Sequence, residues 1–278
     1  MKNADLHTHT FYSVDSDISP EDLVRKAKKA GLKYVAITDH DCVSGIERAL
    51  KAGKKMGIEV IPGVELHSGF GEVLGLFIDH RNRSLTSACE RNEKIVDERA
   101  SKIIRLLKKD EYDIDAGEIR RRYKAKLIER PHIAYELVRK GYASSFRDAF
   151  DRFIAKGNKY YVEAHFPSTL EIVRTIRQAK GSPVLAHPYY ENYKEQFKSI
   201  RALIAAGLCG MELPEKSKLL KEHWSIHGRI KSIAEKHGLI ITSGSDFHGS
   251  VHPYNALGDY NCDESVVLAL KNRRNPKA

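Results

Sequence analysis

The sequence predicts an α/β fold interrupted by a helical insertion. Three observations predict it. Strand-forming runs alternate with helical stretches over the first third, the alternation returns over the last third, and the region from about Leu85 to Phe153 has almost no strand signal. Strands separated by helices imply parallel strands, in an open sheet or a closed barrel. With 278 residues, 41% of them hydrophobic, the chain can build one large domain, or one domain carrying an insertion, around a buried core.

Taken in order, Ala4-Asp5-Leu6 opens a short strand. Ser19-Pro20-Glu21-Asp22 is a helix start, with Ser as N-cap, Pro at the first helical position and acids in the first turn. That helix runs from Glu21 to Ala30 and stops at Gly31. Tyr34 to Thr38 reads as a buried strand, Ser44 to Met56 as a helix ending at Gly57, and Ile58 to Val64 and Val73 to Ile78 as strands. In the middle, Thr86 to Lys109 reads as one long charged helix, followed by helical stretches over Asp115 to Lys124, His132 to Lys140 and Ser145 to Phe153. The last third alternates helices (Ser168 to Lys180, Tyr193 to Ala206, Ser217 to His237, Asp263 to Leu270) with strands (Pro183 to Ala186, Gly210 to Leu213, Leu239 to Ser243).

The net charge of +10 favours polyanionic partners such as phosphates or nucleic acid. No apolar run approaches the roughly 18 residues needed to span a bilayer. The first residues lack the apolar core of a secretory signal. The expectation is a soluble, cytoplasmic protein with no membrane partner. Cys42, Cys89, Cys209 and Cys262 are scattered, which is neither a disulfide framework nor a CxxC metal site, so reduced thiols are expected.

The histidines carry the chemical signal. His7 and His9 follow the first strand two apart, so in extended backbone both rings point the same way and can reach one metal ion. The same residue types recur at later strand ends: Thr38-Asp39-His40-Asp41, Gly63-Val64-Glu65, Ala186-His187-Pro188 and Ser245-Asp246-Phe247-His248-Gly249. Residues at the C-terminal strand ends build the active site of a barrel, so this repetition points to a shared metal cluster. Imidazole and carboxylate without thiolate suit Mn²⁺, Fe²⁺ or Zn²⁺. So many ligands imply two or three ions, with a carboxylate such as Glu65 bridging a pair. Such sites suit phosphoryl chemistry, in which water becomes hydroxide and both attacking and leaving oxygens are clamped.

On these motifs the sequence resembles the PHP (polymerase and histidinol phosphatase) superfamily of phosphoesterases, in the family's order and over nearly the whole chain. The resemblance implies a distorted (β/α)7 barrel with a mainly helical insertion, residues 1–84 and 166–278 forming the barrel and 85–165 capping the active site. It implies that His7, His9, Glu65 and Asp246 hold one ion, Glu65 and His187 a second, and Asp15, His40 and His248 a third. Asp17 competes with Asp15. Glu72 stands where many members have His before the Ile-Leu-Gly strand, and is a candidate ligand here. Asp246 is also a candidate catalytic residue.

A narrower resemblance rests on Arg130-Pro131-His132-Ile133-Ala134, Ala149-Phe150-Asp151-Arg152-Phe153 and Lys156-Gly157. These look like the insertion of PHP enzymes that remove the 3′-phosphate from nucleoside 3′,5′-bisphosphates, act on nucleoside monophosphates, or trim RNA from its 5′ end. It implies that Arg130, His132 and Lys156 bind substrate phosphate and that His132 can protonate the leaving group. The physical reading agrees for Arg130, a planar fork for phosphate at a helix start. Lys159 is a further candidate contact. The expected function is therefore metal-dependent hydrolysis of a nucleotide phosphate ester by metal-activated hydroxide, with short RNA as another substrate. The alternatives are a 5′-to-3′ exoribonuclease, a histidinol-phosphate phosphatase and a non-catalytic nucleic-acid-binding module. Elsewhere, Tyr160 and Tyr161 read as packing residues at a strand, Tyr189 and Tyr190 as possible base-stacking platforms, His223, His227 and His237 as solvent-facing, Trp224 as core, and His252 as a pocket-lining candidate.

Overall fold

A computed structural model of the chain describes residues 2–13, 15–123, 127–188, 197–213, 224–251 and 255–274. The expectations for Tyr189, Tyr190, His223 and His252, and for the starts of the helices at Tyr193 and Ser217, lie outside these residues. The chain divides into two compact units, Met1–Glu90 with Pro167–Ala278, and Arg91–Phe166.

The first unit is an eight-stranded sheet in the order β7-β6-β5-β4-β3-β2-β1-β8. The strands are β1 (Lys2–Asp5), β2 (Tyr34–Ile37), β3 (Glu59–Ser68), β4 (Gly71–Leu76), β5 (Ser182–Leu185), β6 (Gly210–Glu212), β7 (Ile240–Thr242) and β8 (Cys262–Asp263). β1, β2 and β3 are parallel, as are β5, β6 and β7. β4, which no helix separates from β3, runs antiparallel to both its neighbours. The reason is local: Ser68 and Gly71 are paired across a two-residue turn, and a parallel partner needs a crossover of a dozen or more residues. The two-residue β8, absent from the sequence reading, adds an antiparallel edge beside β1.

The sheet curls into a nearly closed barrel, because the segments that follow β1 and β7 meet. Thr8 bridges Phe247 in parallel register, the Asp246 amide donates to the His7 carbonyl (2.9 Å), and the His9 amide donates to the Phe247 carbonyl (2.9 Å). Gly244 permits the approach, since a Cβ there would overlap the Cβ and amide nitrogen of His7.

The helices form where the sequence punctuates them. In α1 (Pro20–Lys29) the Ser19 hydroxyl accepts from the Asp22 amide, and α2 (Ile46–Met56) ends at Gly57 in the left-handed conformation, φ 68°. α1 buries Leu23, Val24 and Ala27, and α2 buries Ile46 and Ala49, in one core with Ile37, Val60 and Val64. Each such Leu or Ile contributes about 1.5–3 kcal/mol by leaving water.

α3 (Arg83–Lys109) begins in the first unit and continues into the second. The second unit adds α4 (Ala116–Tyr123), α5 (Arg130–Arg139) and α6 (Phe146–Ala149), the last running into a π-turn over Phe150–Ile154. Its own core gathers Ile103, Leu107, Ile119, Ile133, Leu137 and Phe153. Tyr160 packs in this core, but it sits in a turn and Tyr161 in irregular chain rather than in a strand. The chain then returns through α7 (Thr169–Gln178), α8 (Ile200–Ala205), α9 (Trp224–His237) and α10 (Glu264–Arg273). Trp224 is 40% exposed at the first residue of α9, which corrects its assignment to the core, and His227 and His237 are half-buried rather than solvent-facing.

Candidate metal centre

The C-terminal ends of the barrel strands converge on Glu65, a side chain with no exposed surface. One of its oxygens, Oε2, lies 3.0 Å from His7 Nε2, 3.3 Å from His9 Nε2 and 3.1 Å from His40 Nδ1. The other, Oε1, lies 3.1 Å from His187 Nε2. Asp246 Oδ1 approaches His7 Nε2 (3.4 Å) and His9 Nε2 (3.2 Å) from the β7 side. Asp15 Oδ2 faces His248 Nε2 (3.3 Å) and His40 Nε2 (3.5 Å), and Glu72 Oε2 faces His187 Nε2 (3.3 Å).

All the ligand candidates of the barrel except Asp17 therefore meet. They fall into groups whose ligand atoms lie within 4.8 Å of one another: His7, His9, Glu65 and Asp246; His9, Asp15, His40 and His248; Glu65, Glu72 and His187; and His40, His67 and Glu72. Asp17 is elsewhere, exposed, with its carboxylate accepting from the Ser250 amide at 2.8 Å. Glu65 lies inside β3 rather than beyond its end, because Val60, Val64 and Leu66 continue the buried alternation to Ser68.

The rings are held from behind, which fixes the nitrogen each presents. His7 Nδ1 lies 3.1 Å and 3.2 Å from the two oxygens of Glu212, at the end of β6. His9 Nδ1 is 2.9 Å from Ser13 Oγ, which also accepts the His40 amide at 2.8 Å. His248 Nδ1 donates to the Asp246 carbonyl at 2.8 Å. Deeper carboxylates brace the loops: Asp5 accepts the Ser245 and Gly258 amides, each at 2.9 Å, and Asp39 accepts the Thr10 amide at 2.6 Å. Asp41, His187 and Asp246 hold left-handed backbone, with φ of 45°, 25° and 53°. Such non-glycine conformations persist only where the surroundings enforce them, and here they sit at the cluster.

The donor set fits divalent cations. His9 Nε2, Asp15 Oδ1 and His40 Nδ1 are buried with no hydrogen-bond partner, although carboxylate oxygens lie close to both ring nitrogens. Buried polar atoms are normally paired, so unpaired ring nitrogens and a carboxylate oxygen inside a cluster of such ligands are what cations satisfy.

Without cations, protons do part of that work. Burial disfavours charge on every group. For Glu65, however, the charges of His7 and His40 and the hydrogen bonds from His187 and His7 outweigh burial and hold the carboxyl well below its usual range. His7 and His248 do the same for Asp246. Against burial, the Glu65 hydrogen bond and charge raise His187 to about 9, and the charges of Asp15 and Asp246 raise His248 to about 10. Burial, with the charges of His248 and His40, lowers His9 to about 3.

A cation needs these imidazoles neutral, so its binding releases protons and strengthens as pH rises toward about 9–10. Titration calorimetry of the metal-free protein with Mn²⁺ near pH 7, in buffers of different ionisation enthalpy, is expected to show net proton release. The raised histidines also stabilise the metal-free fold fully below about pH 6.5, their ordinary value. That contribution is lost as pH rises through about 9–10. Melting temperatures measured in chelator should fall over the same range, and a flat profile would contradict this account.

The substrate-side candidates belong to the second unit. Arg130 is the first residue of α5, its guanidinium 5.6 Å over the Phe150 ring. His132 closes the capping box of α5: its Nδ1 accepts the Glu129 amide at 3.1 Å, which leaves the proton on Nε2. Lys156 is exposed in a turn, and Lys159 is ion-paired with Asp110. The sequence reading missed His67 and Glu212. The Glu65-Leu66-His67 spacing could have revealed His67, since it repeats the i, i+2 pattern of His7 and His9.

Strand-end imidazoles and carboxylates around a nearly closed barrel define a metal-dependent hydrolase. A PHP domain model matches residues 5–216, and the chain belongs to the PHP family. It is a metal-dependent phosphoesterase. It is 30% identical over 263 residues to a 5′-3′ exoribonuclease of Haemophilus influenzae, covering 89% of this chain and 90% of the relative. It is 30% identical over 262 residues to a 3′,5′-nucleoside bisphosphate phosphatase of Chromobacterium violaceum, covering 89% and 88%. A solved structure of a candidate metal-dependent phosphoesterase from Bifidobacterium adolescentis superposes with TM-score 0.85 at 30% identity, covering 98% of this chain and 96% of that one. An amidohydrolase from Chromobacterium violaceum with bound sulfate superposes with TM-score 0.83 at 27% identity, with the same coverage.

Proposed function

We propose that the protein hydrolyses a phosphate ester of a nucleotide, a 3′,5′-bisphosphate or a monophosphate, with two or three divalent ions (Mn, Fe or Zn) held by His7, His9, Asp15, His40, Glu65, Glu72, His187, Asp246 and His248. The observation that carries the reading is the convergence of these side chains on Glu65, with buried ligand atoms left unpaired. Ions bound there supply a water-derived nucleophile and positive charge for the phosphoryl oxygens.

The chain's own residues supply the rest. Glu65 and Asp246 carry the negative charge that gathers cations, Glu212, Ser13 and the Asp246 carbonyl aim the rings, and Arg130 takes a non-reacting phosphate. His132, with its proton on Nε2, donates to a phosphate or leaving-group oxygen. Lys156 adds positive charge. The nucleotide reading draws support from the bisphosphate phosphatase at 30% identity; the two exoribonucleases of Haemophilus influenzae and Escherichia coli, also at 30%, support trimming of short RNA as a second reading.

Phosphate release from adenosine 3′,5′-bisphosphate, AMP, histidinol phosphate and a short 5′-phosphorylated RNA, with Mn²⁺ added and His187→Ala as the blank, tests it. Turnover of the bisphosphate that the blank lacks is the expected result. Preference for histidinol phosphate would overturn the nucleotide reading. Arg130→Ala is expected to lower kcat/KM on the bisphosphate about tenfold or more while sparing a small aryl phosphate, because a remote phosphate contact orients the reacting one. Equal losses on both substrates would remove Arg130 from that role.

A further inference from the structure

His67 is not among the ligand positions that the family resemblance implies, yet it stands in the cluster. It follows Glu65 by two residues on β3 and pairs directly across the hairpin with Glu72 on β4. Side chains alternate along a strand and directly opposed partners share a face, so Glu65, His67 and Glu72 leave the same side of the hairpin. His67 Nε2 is 3.2 Å from Glu72 Oε1. Its Nδ1 is 2.6 Å from Oδ2 of the buried Asp41, whose Oδ1 accepts the His67 amide at 3.1 Å.

This repeats the arrangement at His7, where the buried Glu212 holds Nδ1 and Nε2 faces Glu65. A carboxylate behind an imidazole fixes the ring and raises the basicity of the far nitrogen, the usual support of a metal-bound histidine. Glu72 also divides its two oxygens. Oε1 faces His67 and, at 3.7 Å, the unpaired His40 Nδ1, while Oε2 faces His187. A surface ion pair between His67 and Glu72 would need neither the buried Asp41 nor the orphaned His40 nitrogen.

We infer that His67 is a metal ligand: with Glu72, and beside His40 Nδ1, it would hold one of the two or three divalent cations. The inference rests on reading the cluster as a metal centre. Two imidazoles and one carboxylate select a transition metal over Mg²⁺ at this position.

The test is metal binding. Metal-free wild type, His67→Gln, Asp41→Asn and His187→Ala are reloaded with Mn²⁺. Bound metal is counted by mass spectrometry after gel filtration, and affinity is titrated. His67→Gln is expected to carry about one ion fewer, or to hold its weakest ion more than tenfold less tightly, read beside a melting curve in chelator that shows the variant is folded, because the buried Asp41 loses its partner. Asp41→Asn suits the left-handed backbone at that position, which Asn tolerates. It should weaken the same ion by about 10–100-fold. If both variants match wild type in stoichiometry and affinity, His67 is not a ligand and the phosphoesterase reading stands. If wild type itself binds no ion, both readings fall.

Discussion

Glu65→Gln is expected to remove more than one ion from the protein and to lower kcat/KM by more than about 100-fold, beyond what loss of an outer support of a metal site costs. Its two oxygens are divided among His7, His9 and His40 on one side and His187 on the other, and the side chain is fully buried. Among the described residues, no other carboxylate of the cluster lies this close to four imidazoles. Gln keeps the volume but replaces one anionic oxygen by an amide donor aimed at ring nitrogens.

The same substitution changes the metal-free protein. Glu65 is the charge that keeps His7 and His187 protonated against burial, so their pKa values should fall in the variant. Removing one member of a buried ionic network leaves the others uncompensated, at about 3–5 kcal/mol. Activity and metal content must therefore be read beside a melting curve in chelator. A folded Glu65→Gln protein with full metal content and undiminished turnover would refute the shared-carboxylate centre.

Much of this centre is legible in the sequence because strand geometry is periodic. His7-Thr8-His9 can only present both rings to one side in extended backbone, and the later ligand types fall just after runs that must be buried strands. What escaped depends on register and direction. Glu65 was placed after its strand, although Val64 and Leu66 are fully buried while Glu65 and His67 alternate with them, a pattern that extends β3 and exposes His67 as a partner. The reversal at β4 follows from a turn too short for any crossover, a constraint of connection length rather than residue type.

Asp15 and Asp17 are indistinguishable by composition. The turn that carries the His9 and Ser13 contacts brings Asp15 toward His40 and His248, while Asp17 binds the Ser250 loop. Trp224 reads as core from the sequence, but at the first residue of α9 it is 40% exposed. The contact between His7 and Glu212 spans residues that no local pattern links, because it requires β6 to reach the His7 side of the barrel.

Glu212→Gln is expected to weaken metal binding by about 10–100-fold, with activity restored at high Mn²⁺, as for the loss of an outer partner of a metal-bound histidine. The upper end is expected because Glu212 holds two of the candidate ligands. Its oxygens lie 3.1 Å and 3.2 Å from His7 Nδ1, and Oε2 also accepts the His187 amide at 3.0 Å, where His187 holds strained backbone with φ 25°. Gln can still accept one bond but not hold a full charge behind His7, so the imidazole becomes a poorer donor to a cation while the fold remains. The profile therefore separates a positioning role from a ligand role. Glu212→Gln raises the metal concentration needed for half-maximal activity and leaves kcat near wild type at saturation, whereas Glu65→Gln stays inactive at any metal concentration. A Glu212→Gln protein that saturating Mn²⁺ fails to rescue would instead place Glu212 in the reaction itself.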